Sequence, residues 1–139
     1  MRFTIHADGG ARGNPGPAGA GAVVRDEFGS TVAGVSKFLG KQTNNFAEYE
    51  AVILAFEALA KLVPAGKRGK TEVAVKMDSE LVVKQMRGEY KVKHPVLKGQ
   101  YARLIHAVEM FGPVSFTHVP RAENGDADAL ANEAMDRGA

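Results

Sequence analysis

Arg2-Phe3-Thr4-Ile5-His6-Ala7-Asp8 puts Phe3, Ile5 and Ala7 on one side of an extended chain and Thr4, His6 and Asp8 on the other. That two-residue period predicts a strand with one buried face. Gly9 to Gly16 follows as a turn-rich loop. Ala18 to Arg25 and Thr31 to Leu39 are runs of small and β-branched residues separated by Asp26-Glu27-Phe28-Gly29, the pattern of a hairpin. Three consecutive strands in an antiparallel meander are therefore expected. The period then changes. Tyr49, Val52, Ile53, Phe56, Leu59, Ala60 and Val63 follow helical spacing, Thr43 or Asn44 can cap the first turn, and Pro64 and Gly66 end the helix. A basic loop is expected over Gly66 to Lys70. Glu72 to Met77 reads as a strand, Leu81 to Met86 as a short helix stopped near Gly88, and Val96 to Phe111 as a longer helix. Val114 to Val119 is a last strand and Ala127 to Met135 a last helix. The order β-β-β-α-β-α-α-β-α predicts an α/β fold with one mixed sheet flanked by helices. A right-handed crossover sets the 72–77 strand parallel to the first.

The chain has 139 residues, 45% hydrophobic and 24% charged, which suits a single domain over 1–139 with a packed core. Cysteine is absent, so disulfides, thiolate metal sites and a cysteine nucleophile are excluded. The most apolar stretch, Ala51 to Leu62, is broken by Glu57 and Lys61 and is too short to span a bilayer. No membrane association is expected, and the N-terminus lacks the long apolar run of a signal peptide, so a cytoplasmic protein is expected. The net charge of +2 announces no nucleic-acid partner by itself. Its distribution is uneven: Lys84, Arg87, Lys91, Lys93, Lys98 and Arg103 face only Glu89, whereas the tail from Arg121 is acidic.

Four acids stand where predicted elements meet. Asp8 and Asp78 each end a strand, and if those strands are parallel neighbours both emerge at the same carboxyl edge, where open α/β sheets bind ligands. Glu48 lies in the first helical turn after the meander, and Asp128 begins the final helix. Singly, such acids form turns or complement helix dipoles. Together they carry an electrostatic cost: two carboxylates about 4 Å apart repel by about 4 kcal/mol at an effective dielectric of ~20. Divalent cations relieve that repulsion, and an oxygen-only donor set favours magnesium or manganese. Two such ions match four carboxylates in charge and suit phosphodiester chemistry.

The segments Asp8-Gly9-Gly10-Ala11-Arg12-Gly13-Asn14-Pro15-Gly16-Pro17, Thr43-Asn44-Asn45-Phe46-Ala47-Glu48, Met77-Asp78-Ser79-Glu80-Leu81-Val82 and Asn124-Gly125-Asp126-Ala127-Asp128-Ala129-Leu130-Ala131 closely resemble the type 1 ribonuclease H family. The likeness runs through essentially the whole chain. It implies a ribonuclease H-like sheet of five strands, three antiparallel and two parallel, and hydrolysis of the RNA strand of RNA–DNA hybrids with two Mg²⁺ or Mn²⁺ ions, leaving 5′-phosphate and 3′-hydroxyl ends. By the resemblance Asp8 bridges both ions, Asp128 completes the attacking-water side, and Glu48 and Asp78 hold the ion near the leaving oxygen. Asp126 competes for the fourth position. Asp128 is preferred because it stands four residues after Asn124 and directly before Ala129-Leu130-Ala131.

The same resemblance gives His118, ten residues before Asp128, a part in proton transfer or product release, for which imidazole is suited. Val119-Pro120-Arg121 follows it in place of a glycine-containing loop. Gly9, Gly10 and Gly13 are expected to let backbone amides approach a strand and to tolerate positive φ. Asn14, Asn44 and Asn45 offer amides to sugar hydroxyls, phosphates and base edges, and Thr43 to a phosphate or to the helix cap. By the resemblance, Glu80 stands where many bacterial members have a glutamine next to the RNA, so it is expected to bring an extra negative charge to the hybrid. There is no Trp, and the short Gly88 to Pro95 segment replaces the long basic protrusion, so Lys84, Arg87, Lys91 and Lys93 are left as phosphate contacts. A separate N-terminal hybrid-binding domain is likewise not expected. The expectation is a monomer with no small-molecule organic cofactor. Two rivals stand beside it: a nuclease for double-stranded RNA or a DNA structure, and a nonenzymatic nucleic-acid-binding module. Clustered negative charge near phosphates weighs against the second.

Overall fold

The alternating N-terminal segment becomes the central strand of a five-stranded sheet in the computed structural model, which describes all of residues 1–139. β1 (Arg2–Ala11), β2 (Gly16–Asp26) and β3 (Thr31–Gln42) form the antiparallel meander, and β4 (Glu72–Met77) and β5 (Val114–His118) extend it in parallel. The spatial order is β3-β2-β1-β4-β5. This is the expected mixed sheet, with β1 and β4 as parallel neighbours.

Helix α1 (Asn44–Leu62) packs across β1 and β2. Its Tyr49, Val52, Phe56 and Leu59 are fully buried, and each such side chain contributes about 1.5–3 kcal/mol by leaving water. The short α2 (Ala65–Arg68) and α3 (Glu80–Met86) flank β4 in sequence, and α4 (Pro95–Glu109) covers α1 from outside. Helix α5 (Gly125–Arg137) packs over β1, β2 and β3. Alternation along β2 shows that α5 takes the other face: Ala20 and Ala22 enter the α1-side core, whereas Gly19 and Gly21 meet α5. No helix is long and apolar enough to cross a membrane.

The structure corrects four local expectations. First, β1 does not stop at Asp8: it stays paired with β2 to Ala11↔Ala18, and only its pairing with β4 ends, at Ala7↔Met77. Asp8 thus stands where two neighbouring strands part. Second, the expected basic loop after α1 contains α2. It is anchored by Arg68, whose guanidinium donates to the Ala60 carbonyl at 2.6 Å and the Val63 carbonyl at 3.0 Å, satisfying the end of α1. Third, Glu48 lies one turn into α1 and not in its first turn, because Thr43 is the cap: its hydroxyl accepts from the Phe46 amide at 3.2 Å. Fourth, a 3₁₀ turn over Arg121–Asn124 leads into α5, which starts at Gly125, so Asp128 follows the helix start by three residues.

Candidate active site

At the point where β1 and β4 diverge, Asp8 leaves one strand and Asp78 follows the other. α1 brings Glu48 and α5 brings Asp128 to the same place. All four line one cleft of about 320 Å³, together with Gly9, Gly10, Asn44, Arg12, Arg121 and Asn132 among others. Each acid is half-buried. Four residues spread over 120 positions of chain are gathered by three structural facts: parallel β1 and β4, α1 on one face, and α5 on the other.

The approach of both helices depends on missing side chains. A Cβ on Gly9 would sit 2.2 Å from the Ala47 carbonyl carbon and 2.5 Å from the Glu48 amide nitrogen, and one on Gly21 would sit 2.2 Å from the Ala127 carbonyl oxygen. Gly9 and Gly10 are extended strand residues, and within this segment only Gly13 has positive φ, at 87°. The expected turn-rich loop is corrected at Gly9 and Gly10, which need no positive φ, and Gly9 makes room for α1. Gly10 remains open to the cleft, where an added Cβ would meet only the Met135 methyl at 3.9 Å.

Electrostatics marks the cleft. Burial, followed by the charges of Asp78 and Asp128, raises the pKa of Asp8 from 3.8 to about 8. Burial raises Glu48 to about 7, with the Asp78 charge adding to the shift and a hydrogen bond from Ser79 opposing it. The Ser79 hydroxyl donates to Glu48 Oε2 at 2.7 Å while capping α3. The Asn124 amide donates to Asp78 Oδ1 at 3.0 Å, and the Asn132 amide to Asp128 Oδ2 at 3.3 Å. Arg121 Nη2 lies 3.6 Å from Asp128 Oδ1. The four acids do not close into a ready-made ion cage, since no three His, Asp or Glu side chains gather that tightly. Glu48, Asp78 and Asp128 each take a hydrogen bond from one neutral side chain, while Asp8 meets the carboxyls of Asp78 and Asp128 and carries the largest shift.

Asp126, the competitor of Asp128, forms an ion pair with Arg25 in a separate cavity shared with His6 and Glu123. His118 is exposed at the end of β5, beside Met77, and is not among the residues lining the acid cleft. Asn44 Oδ1 accepts from the Ala11 amide at 2.7 Å, and Asn14 Oδ1 accepts from the Asn44 amide at 3.1 Å, so both latch β1 and its following loop onto the start of α1. Asn14, Thr43 and Asn45 line a second cavity with Gln42, His94 and Leu97, on the other side of that helix start. Glu80 lies in neither: it is exposed and pairs with Lys84 at 2.7 Å. Lys84 also stands 4.9 Å from the Tyr90 ring centre, so this lysine is already engaged.

Ser79, Arg121 and Asn132 escaped the sequence reading as site residues, and Asn124 served there only as a spacing mark. Asn124 and Ser79 do adjoin acids in the quoted segments, but nothing in their spacing tells a helix cap from a carboxylate's partner.

A family profile described as reverse transcriptase-like matches residues 6–134. A bifunctional protein of Mycobacterium tuberculosis is 49% identical over all of this chain, which spans 37% of that protein's length. Its N-terminal RNase H domain superposes with a TM-score of 0.91 at 44% identity, covering 98% of this chain and 100% of the domain. Ribonuclease HI of Halobacterium salinarum is 43% identical over 95% of this chain and 64% of its own length. LC11-RNase H1 in complex with an RNA/DNA hybrid matches with a TM-score of 0.87 and 48% identity, over 97% of each chain. The four acids of one cleft, the mixed sheet that gathers them and these likenesses agree: the chain belongs to the type 1 ribonuclease H family.

Proposed function

We propose that this protein is a divalent-cation-dependent endoribonuclease that hydrolyses the RNA strand of RNA–DNA hybrids, leaving 5′-phosphate and 3′-hydroxyl ends. The observation that carries this reading is the convergence of Asp8, Glu48, Asp78 and Asp128 on a single cleft. The donor set fits hard cations: four carboxylates, no thiolate and no imidazole, with Asp8 and Glu48 both short of compensating positive charge. Asp8, Glu48, Asp78 and Asp128 would hold two Mg²⁺ or Mn²⁺ ions. Bound there, such ions supply an activated water and stabilise the departing oxyanion.

The remaining work falls to the chain itself. Gly10 leaves the cleft floor open to close approach of a strand. Asn14, Thr43 and Asn45 offer amides and a hydroxyl to a cavity at the start of α1 whose other walls include Phe46, Val96 and Leu97, and they would receive the backbone of the companion strand there. Ser79 keeps Glu48 turned toward Asp78. His118, exposed at the end of β5 beside Met77, would carry protons between the reaction centre and solvent. His118→Ala is accordingly expected to slow turnover about 10-fold or more while leaving hybrid binding unchanged. An unaltered turnover number under saturating hybrid would remove His118 from the reaction.

The decisive experiment incubates the purified protein with a hybrid whose RNA strand is labelled at the 5′ end, with Mg²⁺, with Mn²⁺ and with EDTA. Cleavage is expected with either ion and none with EDTA. Intact RNA in all three arms defeats the proposal. Parallel arms with double-stranded RNA and double-stranded DNA separate a hybrid enzyme from a nuclease of another duplex.

A further inference from the structure

Asn124 is 1% exposed, and the position of its amide is unusual. Its Nδ2 donates to the Ala7 carbonyl at 2.8 Å and to Asp78 Oδ1 at 3.0 Å. Ala7 is the last residue of β1 paired with β4, and Met77 is its partner. The next residue on each strand is an acid of the cleft, Asp8 on one and Asp78 on the other. The Asn124 amide is thus a wedge at the fork, tied to one prong at the residue before Asp8 and to the other at Asp78 itself. Its orientation is set by chemistry. With both N–H groups spent on two acceptors, a flipped amide would press its oxygen against a carbonyl and a carboxylate. The oxygen itself has no hydrogen-bond partner among the protein's groups. The segment that carries Asn124 is fastened separately, through the ion pair of Asp126 with Arg25 on the other side of the same turn.

We infer that Asn124 is a positioning residue for cation binding: it holds one oxygen of Asp78 and the end of the β1–β4 pairing, so that the free oxygens of Asp78 and Asp8 face the same cleft. The inference rests on the cation-dependent function proposed above. Asparagine suits the task better than lysine or aspartate. A lysine would neutralise Asp78 and compete with the ion, and an aspartate would add a fifth negative charge. A neutral donor fixes the carboxylate and leaves its charge available.

Mn²⁺ binding to the whole protein, measured by calorimetry without nucleic acid, tests this. Asn124→Ala is expected to weaken Mn²⁺ binding at least 10-fold, the usual scale for losing a ligand's hydrogen-bond partner. Arg25→Ala loosens the same turn without touching Asp78 and is expected to stay within twofold of the unaltered protein. Urea unfolding confirms which variants are folded. Should Asn124→Ala not fold, Asn124→Ser, whose hydroxyl is too short to span both acceptors, takes its place with the same expectation. Mn²⁺ affinity unchanged in the folded Asn124 variant overturns the inference alone. Equal weakening by Arg25→Ala overturns it too, since the effect is then general loosening. If the unaltered protein binds no Mn²⁺, the cation-dependent function itself falls.

Discussion

Asp8→Asn is expected to lower hybrid cleavage on the order of a thousandfold or more while hybrid binding is kept or strengthened. Asp8 is the acid nearest the others in effect: its pKa responds to burial first and then to Asp78 and Asp128. Under the proposed function, removing its charge would remove a cation ligand and, at once, a source of repulsion toward phosphates. The same substitution carries a stability signature of definite sign. Asp8 has its pKa raised in the fold from 3.8 to about 8, so the folded protein holds this proton more tightly than the unfolded chain does. That contribution is fully present below about pH 4 and is lost as pH rises through about 8. In EDTA, stability is therefore expected to decline across that window as the carboxylate is forced to ionise in the cluster. Asn at this position cannot ionise, so the variant should be more stable than the unaltered protein at pH 8, by on the order of 2 kcal/mol. Urea midpoints for both proteins at pH 4, 6 and 8 decide it. The difference should be small at pH 4 and grow toward pH 8, and Mg²⁺ should shrink it by stabilising only the aspartate form. A variant that cleaves at the normal rate, or a difference that does not vary with pH, contradicts the role assigned to Asp8.

Gly9→Ala is the second substitution with a large expected effect, and it acts through packing. The added carbon would lie 2.2–2.5 Å from three backbone atoms of α1: the Ala47 carbonyl carbon and oxygen and the Glu48 nitrogen. Backbone cannot swing aside as a side chain can, so α1 must lift from β1. A loss of about 3 kcal/mol or more is expected, at the upper end for overpacking. Because the clash is with Glu48's own backbone, this acid moves away from Asp8, and cleavage falls even where the protein remains folded. Gly34→Ala is the control: no atom lies within 4 Å of its added carbon, and it should change stability by no more than about 0.5 kcal/mol. Thermal melts of the two variants make the comparison. If Gly9→Ala melts with the unaltered protein, the close helix–strand contact is not what brings Glu48 to the cleft.

These two cases mark the boundary of what could be read from the chain. The alternation in Phe3, Ile5 and Ala7, the hairpin at Asp26–Gly29 and the helical spacing from Tyr49 to Val63 are properties of near neighbours, and they led to the mixed sheet and to every element except the short α2 and the 3₁₀ turn before α5. The acids were conspicuous because clustered charge is costly and because their flanking segments resemble a known family. Glycine is legible as a special residue at position 9, but its place in a strand under α1 is not. A missing side chain looks the same in a turn as under a helix, and only the through-space distance to Ala47 tells them apart.

What the sequence alone determined is therefore the strands and longer helices in their order, the acids placed where elements meet and the absence of cysteine, all of which are local or compositional. The tertiary structure decided the rest: that β1 outruns β4 at Ala7, that Asp128 lines the cleft while Asp126 turns to Arg25, and that Ser79 and Asn124 hold the acids. Those partnerships join residues from 31 to 101 positions apart, and hydrogen bonds and ion pairs depend on distance in space, which no periodicity along a chain records.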